Sequence, residues 1–129
     1  LQLQTEHWGG FEATARYRLF ADALRLALDD GTLAMPDFWQ TDGPVLRKLV
    51  TSGNKAVQRI LHTLRQPSLA DLPRGTVVVH KKFRFVDPLC MDNGQTVRLT
   101  AIDPDFAKQL ALARRRNRRG VAMPVLPDL

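Results

Sequence analysis

Cysteine and long hydrophobic runs are scarce in this chain, and each scarcity excludes a class of protein. Cys90 is the only cysteine among 129 residues, which excludes an internal disulfide and a cysteine cluster for zinc. No apolar run approaches the roughly 20 residues that a membrane-spanning helix needs, and no secretory signal is recognisable. These absences predict a protein of the reducing cytoplasm with no membrane partner.

The sequence also lacks the short motifs that mark many catalytic and metal-binding sites. It contains no glycine-rich phosphate loop and no serine elbow. His7, His62 and His80 are far apart in the sequence, and none of them has the spacing of a metal-binding pair. We interpret each histidine as structural, and we predict that this chain contains no catalytic residue, no metal ligand and no cofactor of its own.

What is present is typical of a globular domain. Hydrophobic residues make up 44% of the chain and charged residues 25%, and the length suits one compact unit with one core. The first residue is a leucine, and a helical pattern begins soon after it. We therefore expect that the chain is a piece of a larger protein.

Positive charge is concentrated in the second half. Residues 1–70 contain eight Lys or Arg and seven Asp or Glu, whereas residues 71–129 contain eleven and six, so the second half carries +5 of the net charge of +6. A basic field of this kind attracts nucleotides, nucleic acid or acidic protein surfaces, and composition alone does not choose among them.

Apolar spacing predicts three helices within residues 1–67. The first extends over residues 11–30, buries a stripe that includes Tyr17, and ends at Gly31. An aromatic plug at residues 35–39 is predicted to connect it to the second helix. Asp42 and Asn54 are predicted to be the N-caps of the second and third helices. The predicted inward residues of the second helix are Val45, Leu46, Leu49 and Val50.

The composition changes after Pro73, where β-branched and aromatic residues begin to alternate. This pattern predicts a strand over residues 76–86. The turn signal at residues 92–94 predicts a second strand of the same sheet over residues 95–100. Asp103 and Pro104 begin a helix that runs to Arg119 and ends at Gly120, and residues 121–125 can add a third strand.

These elements predict an α+β fold. Residues 1–67 form a small helical bundle, and residues 68–129 form a basic segment with a small, mainly antiparallel sheet and a packed C-terminal helix. The two segments are expected to make one compact unit.

The predicted strand carries the first group of candidate binding residues, Lys81, Lys82 and Arg84. Lys82 and Arg84 lie on one face of the predicted strand, whereas Lys81 shares the other face with apolar residues. The three side chains can be the solvated side of an edge strand. Alternatively they bind phosphate oxygens, with the guanidinium of Arg84 as a bidentate donor. The density of charge does not decide between these interpretations.

The second group of candidates lies near the end of the last predicted helix, within the run of arginines from residue 114 to residue 119. Cations are favoured at a helix C-terminus, which accounts for some of them. The others crowd one another, and this arrangement favours a nearby anion or acidic surface. Aromatic residues that would stack on single-stranded nucleic acid are missing from this run. The candidates here are Arg115, Arg118 and Arg119.

Several stretches resemble a known family. They are the helix at residues 16–30 with the following Met-Pro-Asp-Phe at 35–38, the basic stretch at residues 79–88 that ends in Asp-Pro, and residues 99–120. Together they resemble the region C-terminal to the metal-binding core of HD-domain phosphohydrolases, in particular the dNTP triphosphohydrolase-like branch. The resemblance covers nearly the whole chain.

The resemblance implies a parent enzyme whose N-terminal core holds a divalent metal through histidines and aspartates, including a His-Asp dipeptide, to activate water against a phosphate ester. This chain has no His-Asp dipeptide, so no metal ligand is carried over to it. The resemblance implies an accessory role, in which the chain packs against the missing core, directs its cations towards nucleotide phosphates, or forms a homo-oligomer interface. The alternatives are a non-enzymatic basic module that binds nucleic acid or an acidic protein, and a structural dimerisation domain.

Overall fold

The computed structural model describes residue 7 and residues 9–128, and it places helices first and strands second. The first half contains α1 (Phe11–Asp29), a 3-10 helix (Met35–Trp39), α2 (Asp42–Val50) and α3 (Lys55–Leu64). The second half contains β1 (Arg74–Val79), β2 (Leu89–Asp92), β3 (Gln95–Arg98), the short α4 (Leu99–Ile102), α5 (Pro104–Arg118) and β4 (Val121–Pro124). This order confirms the predicted α+β class. None of the helices in these residues is both long and apolar enough to cross a bilayer.

The strands form two small antiparallel sheets instead of the single predicted sheet. β1 pairs with β4, with Val79 opposite Val121. β2 and β3 form a separate hairpin. Asn93 and Gly94 connect the two strands of the hairpin with positive φ angles of 47° and 78°, as in the tight turns that best fit the twist of a two-stranded hairpin. The turn at residues 92–94 is therefore confirmed.

The predicted strand over residues 76–86 is wrong in its second half. β1 ends at Val79, and residues 80–88 form neither helix nor strand; we call them the connecting segment. The cause is the partner strand, because Val121 opposite Val79 is the first residue of β4. Gly120, just before it, turns the chain out of α5 with a φ of 72°. Beyond Val79 no partner strand remains to continue the ladder.

Capping residues set several helix ends as predicted. The Asn54 side chain accepts hydrogen bonds from two backbone N–H groups in the first turn of α3, at 2.9 and 3.3 Å. The Asp103 side chain accepts one from the N–H of Phe106 at 2.9 Å. These contacts satisfy donors that have no partner within the helix. The prediction for α2 is wrong by one residue, because Asp42 is its first helical residue and Thr41 occupies the N-cap.

Two clusters of buried side chains form the core, and α1 contributes to both. The first cluster joins α1 and α3 to Leu69 and to Met123 of β4. The second joins α1 to Leu33, to Leu49 of α2 and to residues of α3. Because Met123 packs in the first cluster, the β1–β4 sheet shares a core with the helices.

Tyr17 does not belong to the buried stripe of α1, contrary to the prediction. Ala15, Ala23 and Ala27 are fully buried there, whereas Tyr17 is 74% exposed. Alanines on one side of a helix allow its neighbours to approach closely. Tyr17 is two residues from Ala15, which places it on the far side of the helix.

The predicted aromatic plug is replaced by an ion pair. Trp39 is exposed, and the buried side chain of the 3-10 helix is Asp37. The carboxylate of Asp37 accepts hydrogen bonds from Lys48 Nζ at 2.7 Å and from the N–H of Ala34 at 2.8 Å. These two bonds, that from Lys48 first, lower the pKa of Asp37. A charged pair therefore connects the 3-10 helix to α2.

Helix α2 buries a narrower face than its sequence predicts. Leu49 is fully buried, whereas Leu46 and Val50 are exposed. Leu46 instead borders an open cleft of about 260 Å³ beside α1 and α2. The lining residues of this cleft are Phe20, Leu24, Phe38, Gln40, Asp42, Val45 and Leu46.

Candidate functional site

The connecting segment is fastened at both ends although it has no regular structure. Near its start, the side-chain amide of Asn117 on α5 donates a hydrogen bond to the carbonyl of Lys81 at 3.0 Å. Near its end, the carboxylate of Asp87 accepts hydrogen bonds from the hydroxyl of Thr100 at 2.7 Å and from its N–H at 3.1 Å. The backbone that carries the candidate cations at residues 81–84 is therefore attached to α5 at Lys81 and to α4 at Asp87.

Half-buried and exposed side chains alternate from Val79 to Arg84, beyond the point where strand pairing stops. Lys81 and Phe83 are half-buried, whereas Lys82 and Arg84 are exposed. Such alternation is typical of an extended backbone, and residues 81–84 keep the two faces that the sequence predicts, whereas Phe85 and Val86 are both exposed. Lys82 and Arg84 share the solvent side, and Lys81 lies on the side of the aromatic residues.

Lys81 is partly withdrawn from water without a compensating charge. Burial lowers the pKa of Lys81, because a less polar environment disfavours the charged amine. No carboxylate lies within ion-pair distance of it among the residues that the structure describes. An anion bound beside Lys81 would supply the missing opposite charge.

Two phenylalanines of the segment meet an arginine of α5. The rings of Phe83 and Phe85 are stacked, with centroids 5.4 Å apart and planes inclined by 22°. The guanidinium carbon of Arg114 lies 5.2 Å from the centroid of Phe85 and 5.9 Å from that of Phe83. Cation–π contacts at exposed positions contribute about 0.5–1 kcal/mol each. Together with the Asn117 hydrogen bond, they attach the segment to α5.

Arg114 is the residue of this surface that the sequence-based prediction missed. The signal was the spacing of Leu110, Arg114 and Asn117, which puts all three on one side of the helix. Leu110 is buried, so this side of α5 faces the protein. The partners of Arg114 are about 30 residues earlier in the sequence, and a helical pattern carries no information about them.

Arg115, Arg118 and Arg119 are exposed, and they lie close to this contact along α5. Arg115 directly follows Arg114, and Arg118 lies one helical turn after Arg114. Arg119 is the C-cap residue of α5. The predicted cations therefore fall into two groups on two elements that meet at the Lys81–Asn117 hydrogen bond. We call the six predicted residues together with Arg114 the basic surface.

The basic surface belongs to a stretch that contains the whole net charge of the protein. Residues 81–119 include ten Lys or Arg and four Asp, a net charge of +6, and the rest of the chain has nine of each sign. In the described part of the chain, every ion pair involves a cation that precedes residue 60. The cations of the basic surface are therefore not neutralised by neighbouring carboxylates.

Asp87 makes the attachment of the segment sensitive to acid. Hydrogen bonds from Thr100, with the hydroxyl as the largest cause, lower the pKa of Asp87 below its ordinary value of 3.8. A carboxyl group whose pKa is lower in the folded protein contributes stability above its unfolded pKa, and this contribution is lost as the pH falls through the folded value. The contribution of Asp87 is therefore present at neutral pH and disappears below about pH 4.

We expect Asp87→Asn to weaken the dependence of stability on acid. The urea midpoint of the wild-type chain should fall between about pH 5 and about pH 3, and the variant should show a shallower fall because it lacks this titrating group. Thr100→Val removes the strongest donor and should also reduce the slope. Parallel curves for the wild type and both variants would contradict the stabilising role of these bonds.

The part of the chain that the structure describes offers no set of ligands for the divalent metal that the family resemblance implies for a parent enzyme. Among residue 7 and residues 9–128, no group of three or more His, Cys, Asp or Glu side chains could hold a metal ion. The chain matches no protein-family model, no curated protein and no solved structure. The resemblance to HD-domain phosphohydrolases therefore stays a prediction.

Proposed function

We propose that the chain binds the phosphate groups of a nucleotide ligand through its basic surface. The observation that carries this proposal is the accumulation of the entire net charge within residues 81–119 without pairing to carboxylates. Like charges held close together repel one another and disfavour the compact state. Phosphate oxygens remove that repulsion and accept strong charge-assisted hydrogen bonds.

The residues of the surface have different parts in this proposal. Arg84 and Arg118 are exposed guanidinium groups that can bind two phosphate oxygens at once. Lys82 provides a flexible point charge on the same side as Arg84. Lys81 gains an opposite charge for its half-buried amine, and Arg115 and Arg119 extend the positive field along α5.

For the parent protein, we propose a cytoplasmic HD-type nucleotide phosphohydrolase that acts on dNTP-like substrates. This proposal rests on the sequence resemblance, and the single cysteine supports the cytoplasmic location. The missing N-terminal core would hold the divalent metal, which activates water in such enzymes. The present chain would supply cations that face the phosphates and contacts to the core or to a second subunit. An upstream coding sequence with a His-Asp motif would support the proposal, and a gene that starts at residue 1 would contradict it.

Phosphate binding predicts a specific loss of affinity in a triple variant. Arg115→Gln, Arg118→Gln and Arg119→Gln together should weaken the binding of dATP roughly tenfold or more at low salt, since each cation that contacts phosphate adds to affinity. The dissociation constant is measured by isothermal titration at about 50 mM and about 200 mM salt. The salt dependence of the variant should be weaker than that of the wild type.

The control has the same change of net charge elsewhere. Arg18, Arg25 and Arg47 lie on α1 and α2 and are exposed. Their replacement by glutamine should leave dATP affinity within about twofold, because only cations that contact phosphate add to affinity and Arg18 and Arg25 are already paired with Asp22. Equal losses of dATP affinity in both triple variants would show that only the net charge of the chain matters. That result would overturn the assignment of the binding surface.

A second candidate function is a non-enzymatic module that binds nucleic acid. It is favoured by the aromatic pair Phe83–Phe85 beside Arg114, because proteins that bind single strands combine cations with exposed aromatic rings. An acidic protein partner would use the cations without any need for the rings. Cleavage of a dNTP by the intact parent protein would favour the enzyme.

A further inference from the structure

The structure combines two features that are separate in the sequence. Helix α5, which carries most of the arginines at residues 114–119, contains one aromatic residue, Phe106, near its other end. Folding brings Phe83 and Phe85 to within 5.9 and 5.2 Å of the guanidinium of Arg114. The basic surface therefore includes an aromatic pair, which the sequence of α5 does not show.

The geometry of this pair leaves an aromatic surface accessible. Phe85 is 40% exposed, and its ring lies nearly parallel to that of Phe83. The planar guanidinium of Arg114 is also able to stack on an aromatic ligand. Offset stacking on such rings is favourable for any flat aromatic group.

Two exposed arginines of α5 lie next to Arg114, and hence near the aromatic pair. On α5, Arg115 directly follows Arg114, and Arg118 lies one helical turn after Arg114. Both are exposed. A base on Phe85 would thus have its attached phosphate within the positive field of α5, and the exposed Lys82 and Arg84 extend that field along the solvent side of the connecting segment. An inorganic polyphosphate would contact the cations but would make no stacking contact with the rings.

We infer that Phe83, Phe85 and Arg114 form a stacking platform for a nucleobase, so that the ligand of the basic surface is a nucleotide unit. This inference rests on the proposed phosphate binding and specifies its ligand. A single-stranded nucleic acid and a free nucleotide both offer this unit. The inference excludes inorganic polyphosphate and acidic peptides as equivalent ligands, because they lack a base.

The test compares two strands of equal charge. Fluorescence anisotropy measures the binding of the full chain to a labelled deoxythymidine strand of about 12 nucleotides and to an abasic strand of the same length. The wild type should bind the base-bearing strand roughly tenfold more tightly. Phe85→Leu should remove this preference while its affinity for the abasic strand stays unchanged. Arg114→Lys, which keeps the charge but loses the planar group, should reduce the preference.

Phe38 offers a matched control, because it is 39% exposed on the helical part of the chain. Phe38→Leu removes an equally exposed ring and should keep the wild-type preference for bases. Thermal melting of both leucine variants checks that each is folded. A preference that persists in Phe85→Leu, or that disappears equally in Phe38→Leu, would overturn the stacking platform.

The outcomes also separate this inference from the proposed function. Equal binding of the two strands by the wild type would overturn base stacking and leave phosphate binding intact. Failure to bind either strand at low salt, together with failure to bind dATP, would overturn both. Displacement of the labelled strand by dATP, but not by tripolyphosphate, would support stacking and identify a free nucleotide as a ligand. If the base-bearing strand binds preferentially and dATP does not displace it, the result would support stacking and identify single-stranded nucleic acid as the ligand.

Discussion

Gly120→Ala is expected to lower the free energy of unfolding by about 3 kcal/mol. Gly120 has a φ of 72°, a conformation that costs a residue with a side chain about 1–2 kcal/mol. A β-carbon at this position would also lie 2.5 Å from Cγ1 of Val78 and 3.0 Å from the carbonyl oxygen of Val79. Relief of such crowding costs a further 1–3 kcal/mol, roughly. Urea unfolding at neutral pH measures the difference.

Gly31 provides the matched control for this substitution. It also follows a helix, with a φ of 78°, but no atom lies within 4 Å of the position that its β-carbon would occupy. Gly31→Ala should therefore cost only the conformational part, about 1 kcal/mol. Similar losses in the two variants would contradict a close approach between the end of α5 and β1.

The contact at Gly120 links the fold to the basic surface. Gly120 ends α5 where the helix reaches Val78, Val79 and His80, and His80 begins the connecting segment. Three residues before Gly120, Asn117 donates a hydrogen bond to the carbonyl of Lys81, and six residues before it, Arg114 contacts the aromatic pair. The absence of a side chain at one position thus allows the two cationic elements to lie side by side.

Local signals in the sequence predicted the parts of the fold that depend on neighbouring residues. Asn54 and Asp103 cap helices as expected, and Gly31 and Gly120 end them with left-handed conformations. Each effect acts over a few residues, from a side-chain oxygen to an adjacent N–H or through the steric freedom of one glycine. For this reason the helix ends were predicted more accurately than the tertiary contacts.

The end of β1 shows why strand length was not predictable. The sequence pattern that predicts a strand runs over residues 76–86, and exposed and half-buried side chains do alternate from Val79 to Arg84. A strand also requires hydrogen bonds to a partner, however, and β4 has no residue to offer beyond Val121. Which segment pairs with β1 depends on tertiary structure, and the alternating pattern does not encode it.

The sequence predicted most of the cations of the candidate site but did not predict how they are arranged in space. The exposure of Lys82 and Arg84, and the separation of Lys81 from them, followed from a period of two. The contact of Arg114 with Phe83 and Phe85 did not follow from any pattern, because these residues come together only when α5 packs on the connecting segment. The sequence therefore predicted a charged surface and missed its aromatic component.

Leu49→Ala is expected to lower the free energy of unfolding by about 3 kcal/mol, because it empties a fully buried position in the second core cluster. Leu46→Ala on the same helix is the control, with the same atoms removed from a side chain that is 44% exposed at the open cleft. It should cost less than about 1 kcal/mol, since solvent already reaches this side chain. Urea unfolding of both variants measures the contrast. Equal losses would show that Leu46 is buried in solution, as its helical spacing predicts, and that the cleft beside α1 is closed.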